Sequence, residues 1–240
     1  MKKVILPLLL LTSVMSFAQN SGGGLLKKAG GLLNKAKGGS LSNDDIVAGL
    51  KEALSLGAQN GANKLSSVDG FFANAAIKVL MPPEAQKVEK TLRNAGMGKL
   101  VDDAILSMNR AAEEASKSAA PIFVDAVKTM SFQDALGILK GSDTAATSYL
   151  KGKTTPALTS AFRPVIESAL EKTGATKHWK TVIDAYNKIP LVSKVNPDLS
   201  GYVTDKALSG MFFQVATEEQ KIRKDPAARV TETLKKVFGS

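Results

Sequence analysis

Residues 99–120 read KLVDDAILSMNRAAEEASKSAA. Leu100, Val101, Ala104, Ile105, Met108, Ala111, Ala112, Ala115 and Ala119 recur at three- and four-residue spacing, which lays them along one face of an α-helix. The last four members of that stripe are alanines. A helix faced with alanine carries no bulk, so a second helix can approach its backbone closely. The stretch therefore predicts a fold made by close helix packing. Composition points the same way: the chain is 44% hydrophobic but only 5% aromatic, so Ala, Leu, Ile and Val must fill the interior.

The same stretch carries charge. Arg110 stands three residues before Glu113 and four before Glu114, within reach of both on a helix. On a solvated face such a pair is worth tenths of a kcal/mol. If Leu106 and Asn109 instead mark a second buried face, Arg110 and a glutamate form a buried crosslink or an anion contact. The candidate polar cluster is thus Asn109, Arg110, Glu113 and Glu114, and burial decides its meaning. A catalytic carboxylate ranks behind both readings.

Working outward, the N-terminus is not expected to belong to the fold. Residues 1–19, MKKVILPLLLLTSVMSFAQ, place Lys2 and Lys3 before an apolar run from Val4 to Val14, then Ser16-Phe17-Ala18. Small residues at the third and first positions before a cut mark a secretory signal peptide cleaved after Ala18. The protein is expected to be exported, to the periplasm first of all; an uncleaved anchor is the competing reading. No other run approaches twenty consecutive apolar residues. The chain has no cysteine, which excludes disulfides, thiolate nucleophiles and a lipidated N-terminal cysteine.

Residues 19–40 form an arm whose core, GLLKKAGGLLNKAKGG, repeats itself after seven residues. Its leucines and alanines would share one helical face, but Gly30 and Gly31 interrupt it at about 1 kcal/mol each. A flexible linker is the leading reading, and an amphipathic arm that touches an anionic membrane surface is the alternative. Of the formal net charge of +10, Lys2 and Lys3 leave with the signal and four lysines stand on the arm, which leaves +4 for residues 41–240. A fold that mildly basic, in an exported chain, is not expected to bind nucleic acid.

From residue 41 onward the pattern is helical. Ser42-Asn43-Asp44-Asp45 supplies capping side chains and first-turn acids for a helix over 46–63. Pro82-Pro83 starts another at Glu84, and Gly96 and Gly98 separate it from the 99–119 helix. Pro121 restarts a helix; Ser131-Phe132-Gln133-Asp134 has capping-box form. A short helix over 144–150 follows, then Thr155-Pro156 reads as a cap and first position, with Pro164 kinking or dividing the helix that Gly174 ends. Helices over 178–188, 202–224 and from Pro226 to about Phe238 complete the count. The expectation is an all-α, compact multi-helix domain over 41–240, of about nine to eleven short helices. Extended connections are expected near 77–83 and 189–197.

LSNDDIVAGLKEAL, DGFFANAAIKVL, LSMNRAAEEA, APIFVDAVKTMSFQDALGILKGSDTAATSYL and EEQKIRKDPAAR, read together, resemble a bacterial family catalogued as a domain of unknown function, number 4197. The resemblance spans about residues 41–239. It implies an exported, mostly helical single domain, and it brings no activity, cofactor or catalytic residue with it.

Specific chemistries are tested against the residues. A di-iron bundle needs Glu-x-x-His on facing helices. The single histidine, His178, follows Ala175-Thr176-Lys177, so that motif is absent, and one histidine without cysteine makes a zinc site improbable. His178 beside Trp179 at a helix start reads as a surface or capping residue. No Gly-x-Ser-x-Gly elbow occurs. Gly152-Lys153-Thr154 and Gly96-Met97-Gly98-Lys99 imitate phosphate loops without the leading glycine or strand, and read as helix ends. No metal and no cofactor is expected.

Two further sets are singled out. Phe71, Phe72, Ile77, Met81, Phe123, Phe212 and Phe213 form a candidate apolar pocket, with ordinary core as the bland alternative. The charged run 218–229, with Glu219, Arg223 and Arg229, reads as a solvated edge or a partner surface. The expected function is a non-enzymatic binding or structural component of the bacterial cell envelope, with an envelope protein or lipid as partner. A carrier of a lipid or other apolar ligand between helices is the alternative, ahead of a carboxylate-dependent enzyme.

Overall fold

Ser42 opens the first helix as its sequence asks. Its hydroxyl accepts the Asp45 N–H at 3.2 Å while the Asp45 carboxylate accepts the Ser42 N–H, a reciprocal capping box. Helix α1 (Asn43–Ser66) follows and buries Leu50, Ala53, Leu54, Ala58, Ala62 and Leu65. The structure, a computed structural model, describes residues 42–188 and 194–225, together with 227 and 235. The signal peptide, the arm over 19–40, the first part of the 189–197 crossing, the terminal helix expected from Pro226 and Arg229 lie outside the described residues.

After α1 the chain turns sharply. Asp69 takes a left-handed conformation, φ 67°, that costs most side chains about 1–2 kcal/mol and is tolerated best by Asp and Asn among them. Gly70 passes so close to the end of α1 that a Cβ there would lie 2.5 Å from the Lys64 carbonyl oxygen. An extended strap over 78–82 leads through a 3₁₀ turn (Pro83–Ala85) into α2 (Gln86–Asn94). Gly96, at φ 79°, ends α2, and α3 (Gly98–Ser116) carries the alanine stripe. Then come α4 (Ala119–Lys128), α5 (Phe132–Lys140), α6 (Ala145–Lys172), α7 (Ala175–Asn187) and α8 (Leu199–Lys224). Among the described residues the fold is all-α, with eight helices and no strand.

That count is below the nine to eleven expected, and not all helices are short: α1, α6 and α8 have 24, 28 and 26 residues. The main correction is α6, which the sequence divided at Thr155-Pro156 and which was expected to kink or divide again at Pro164. One helix runs through both prolines. Each removes one N–H bond, to the carbonyls of Gly152 and Ser160 four residues earlier. Pro156, Pro164, Gly152 and Ser160 are all exposed, so water can satisfy the freed carbonyls. Thr154 and Thr155 add hydroxyl bonds to the Leu150 and Lys151 carbonyls, both at 2.6 Å, just before the first proline.

Burial explains why α6 stays whole. Ala146, Leu150, Thr154, Leu158, Phe162, Ile166 and Leu170 are buried at a constant spacing of four. Four exceeds the 3.6-residue turn, so this stripe winds around the helix and needs partners on several sides. It has them: α6 packs against α3, α8, α4, α5 and α7 and is the axis of the domain. Ala111, Ala112 and Ala115 of α3 are fully buried, as the close-packing stripe predicts. Helix α1 closes the other side against α4, α8, α3 and α5. Helix α2 differs from all of these: it contains no buried residue and packs on α3 and the 3₁₀ turn.

Candidate functional site

Asn109 and Glu113 of α3 are both inside, 0% and 4% exposed. Asn109 treats the strap as a strand would: its Oδ1 accepts the Val79 N–H at 2.9 Å and its Nδ2 donates to the Val79 carbonyl at 2.8 Å. Glu113 Oε1 accepts the Phe71 and Phe72 N–H groups at 3.1 and 3.2 Å. Its Oε2 accepts from Arg110 Nη1 at 2.6 Å, and Arg110 Nη2 reaches Asp69 Oδ1 at 2.7 Å. Those two carboxylates, Glu113 first, hold the Arg110 guanidinium even more firmly protonated than usual. Glu114 leaves this group; it is exposed and pairs with Lys117. Asn109, Arg110 and Glu113 therefore act together as the clasp that fixes the 69–79 crossing to α3. Three of the four lone-pair sites of the Glu113 carboxylate are taken by these bonds, two on Oε1 and one on Oε2.

A second buried carboxylate does the same for α6. Thr144 makes no side-chain cap, and the orphan N–H groups of Ala146 and Thr147 are taken by Glu219 from α8, at 3.0 and 2.8 Å. Thr147 Oγ1 donates to the same carboxylate at 2.8 Å. Arg223 completes the arrangement, with Nε 3.0 Å from Glu219 Oε1 and Nη2 2.8 Å from the Ile138 carbonyl at the end of α5. Glu219 is 6% exposed. The reading of Glu219 and Arg223 as a solvated edge or partner surface is thereby corrected: they tie α8 to the α5–α6 junction. The i,i+4 spacing marked the pair, but the backbone groups it serves lie more than seventy residues away.

The seven candidate pocket residues do not line one cavity. Phe71, Phe123 and Phe212 are core, with Phe123 and Phe212 edge-on at 6.0 Å. Phe71 presses on α8 where only glycine fits, since a Cβ on Gly210 would come within 2.5 Å of its ring. Phe72 lies half-buried under Lys78, whose Nζ is 3.8 Å from the ring centre. Ile77, Met81 and Phe213 do share a groove, of about 450 Å³, with Lys78, Leu80, Tyr202 and Lys206.

An apolar groove lies on the other side of the strap and was not read from the sequence. Val88 and Leu92 of α2 face Leu100, Val101, Ala104 and Met108 of α3 across it; Ala175, His178 and Trp179 of α7 close the far wall. Its volume is about 140 Å³, and Met81 lines it as well as the first groove. Trp179 is buried with its indole N–H unpartnered, and the Thr176 hydroxyl nearby on α7 is also unpartnered. His178 is an exposed rim residue, one turn inside α7 rather than at the helix start. The i,i+4 spacing of Val88 and Leu92, and the exposed Leu100, were the available signals. They could not say which helix stands opposite.

A second strap, over 194–198, repeats the device of the first. Asn187, at the end of α7, accepts the Val195 N–H and donates to the Val195 carbonyl, both at 2.8 Å. Asp198 then caps α8 by accepting the Gly201 N–H at 2.8 Å and pairs with Arg163 of α6 at 2.8 Å. The Gly201 N–H first, and Arg163 next, hold the Asp198 carboxyl below the ordinary carboxylate range. Gly152-Lys153-Thr154 falls inside α6 and Gly96–Lys99 at the α2–α3 junction, so neither is a phosphate loop. Among the described residues no group of three or more His, Asp or Glu side chains is placed to hold a metal, and no helix is long and apolar enough to cross a membrane.

No curated protein and no solved structure matches the chain. The family model described as a protein of unknown function, DUF4197, matches residues 40–239, so the clasped helical domain described above is that family's domain and the chain belongs to the DUF4197 family.

Proposed function

We propose that this protein is a non-catalytic binding component of the bacterial cell envelope, and that its ligand is apolar and enters the groove between α2, α3 and α7. The observation that carries the reading is the mostly apolar wall of that groove, which Asp103, Ser107, Thr173 and His178 join, closed on one side by α2, the one helix among the described residues without a buried residue. Such a helix is the cheapest element to displace when a ligand enters. The buried carboxylates support the non-catalytic part. Glu113 and Glu219 are 4% and 6% exposed and hold backbone N–H groups and an arginine from inside the fold, whereas a general base must reach its substrate. The signal read in residues 1–18 supports the envelope location.

The test uses the full mature chain and the neutral fluorophore N-phenyl-1-naphthylamine. Binding with a saturable rise in fluorescence is expected. Ala104→Phe, which places a ring in the groove from α3, is expected to weaken that binding at least about tenfold, the loss of about 1.4 kcal/mol, while the circular dichroism spectrum is retained. Undiminished binding by a folded Ala104→Phe variant, or no binding by the native chain, would overturn the reading.

A further inference from the structure

Volume sets the starting point. The apolar groove, at about 140 Å³, matches the ~150 Å³ cavity that takes a benzene ring. It holds a single ring or the end of an alkyl chain. Beyond Met81, which lines both, lies the larger groove of about 450 Å³, and its character is different. Leu80 and Phe213 stand at it 56% and 47% exposed, two of the few large apolar side chains left in water. Lys78 and Lys206 flank them, and no acidic residue lines the groove.

Lys99, Lys117, Lys128, Lys180, Lys221 and Lys224 each meet a carboxylate within or between helices. Among the described residues neither Lys78 nor Lys206 has a carboxylate partner. Each is propped instead over an aromatic ring, Lys78 over Phe72 at 3.8 Å and Lys206 over Tyr202 at 5.6 Å. Cation–π support positions an ammonium without neutralising it, so both charges remain open to an anion.

We propose that the two grooves are the halves of one site for a single-chain anionic amphiphile, the chain end lying between α2, α3 and α7 and the anionic head between Lys78 and Lys206. The middle of the chain crosses Met81, whose unbranched thioether side chain adapts its shape to what passes it. Met81 of the strap lines both grooves, Pro83 of the 3₁₀ turn lines the larger one, and Asn109 holds the strap in register. This inference rests on the apolar-ligand reading above and adds the class of ligand and the residues that read its charge.

The experiment compares amphiphiles with one twelve-carbon chain and different heads, each below its micelle concentration, by calorimetry on the full mature chain. Dodecanoate and dodecyl phosphate are expected to bind at least about tenfold tighter than zwitterionic dodecylphosphocholine, since charge-assisted contacts are roughly twice as strong as neutral ones. Whichever of the two anions binds tighter assigns the head as carboxylate or phosphate. Lys78→Ala/Lys206→Ala is expected to abolish the preference, bringing dodecanoate and dodecyl phosphate to the affinity of dodecylphosphocholine. Should that variant not fold, Lys206→Glu alone, at an exposed position, is expected to reverse the preference. Equal binding of all three heads overturns the inference and leaves the apolar groove standing, as does a preference that survives loss of the lysines. Binding to anionic vesicles without binding of the monomeric amphiphiles assigns the lysines to a bilayer surface and overturns the single-molecule site. No binding of any amphiphile overturns both readings.

Discussion

Two asparagines do in this fold what a neighbouring strand does in a sheet. A primary amide offers one acceptor and two donors, so Asn109 can close both backbone groups of Val79, and Asn187 both of Val195, with peptide-like geometry. The two sites differ in burial, and that difference predicts their cost. Asn109 is fully buried and also donates to the Ile105 carbonyl at 2.7 Å. Asn109→Ala would orphan a buried N–H and a buried carbonyl, and is expected to cost about 2–4 kcal/mol. Asn187 is only part-buried, water can replace its amide, and Asn187→Ala is expected to cost about 1 kcal/mol. Urea unfolding at neutral pH measures both. Equal midpoints for the two variants would mean that the straps are held by packing and not by their amide clasps.

At the scale of the element, α6 raises the question of why a helix tolerates two internal prolines. Their exposure answers it: the lost bonds fall on the side where water stands in. Pro156→Ala restores an N–H to the Gly152 carbonyl without touching the core. The helix gain of about 3 kcal/mol, less up to about 1 for the freer unfolded chain, leaves an expected stabilisation of roughly 2 kcal/mol. A destabilised variant in thermal or urea unfolding would show instead that the five neighbours of α6 are packed to a bend. The same helix marks the limit of what the sequence discloses. Features written within four residues were legible: the capping side chains at Ser42, the capping box at Ser131, the alanine stripe of α3, the glycine stops at Gly96 and Gly174. The proline rule misdivided α6 because it is local, whereas the stripe from Ala146 to Leu170 is satisfied by five other helices. The site was legible only in part for the same reason. Arg110 and Glu113 could be paired on sight, but their burial depends on Asp69, Phe71 and Phe72, some forty residues away. The apolar groove needs α2, α3 and α7 together, and no spacing in the chain announces that meeting.

Among the described residues most ion pairs are local, joining residues three or four apart on one helix. The exceptions tie distant segments: Arg93 to Asp102, Arg110 to Asp69, Arg163 to Asp198 and Lys224 to Asp143. Asp198 is the one among them that also caps a helix, so α6, α8 and the second strap meet at its carboxylate. Its carboxyl is held below the ordinary range, and so are Asp134, chiefly by the Ser131 N–H and hydroxyl, and Asp143, by Lys224. A carboxyl depressed by folding contributes stability that is present above its unfolded value of about 4 and is lost as the pH falls through the lower folded value. The melting temperature is therefore expected to be level between about pH 5 and 8 on this account and to fall below about pH 4. Asp198→Ala isolates one share of that loss. At pH 7 it is expected to cost about 1 kcal/mol, the usual worth of a helix cap. The deficit is expected to shrink as the pH drops, because the native chain loses the same contacts when Asp198 takes up its proton. Melting curves of both proteins, recorded from pH 7 downward until the native state is lost, decide it: a constant gap between them would mean that the Asp198 charge contributes nothing to joining α6 and α8.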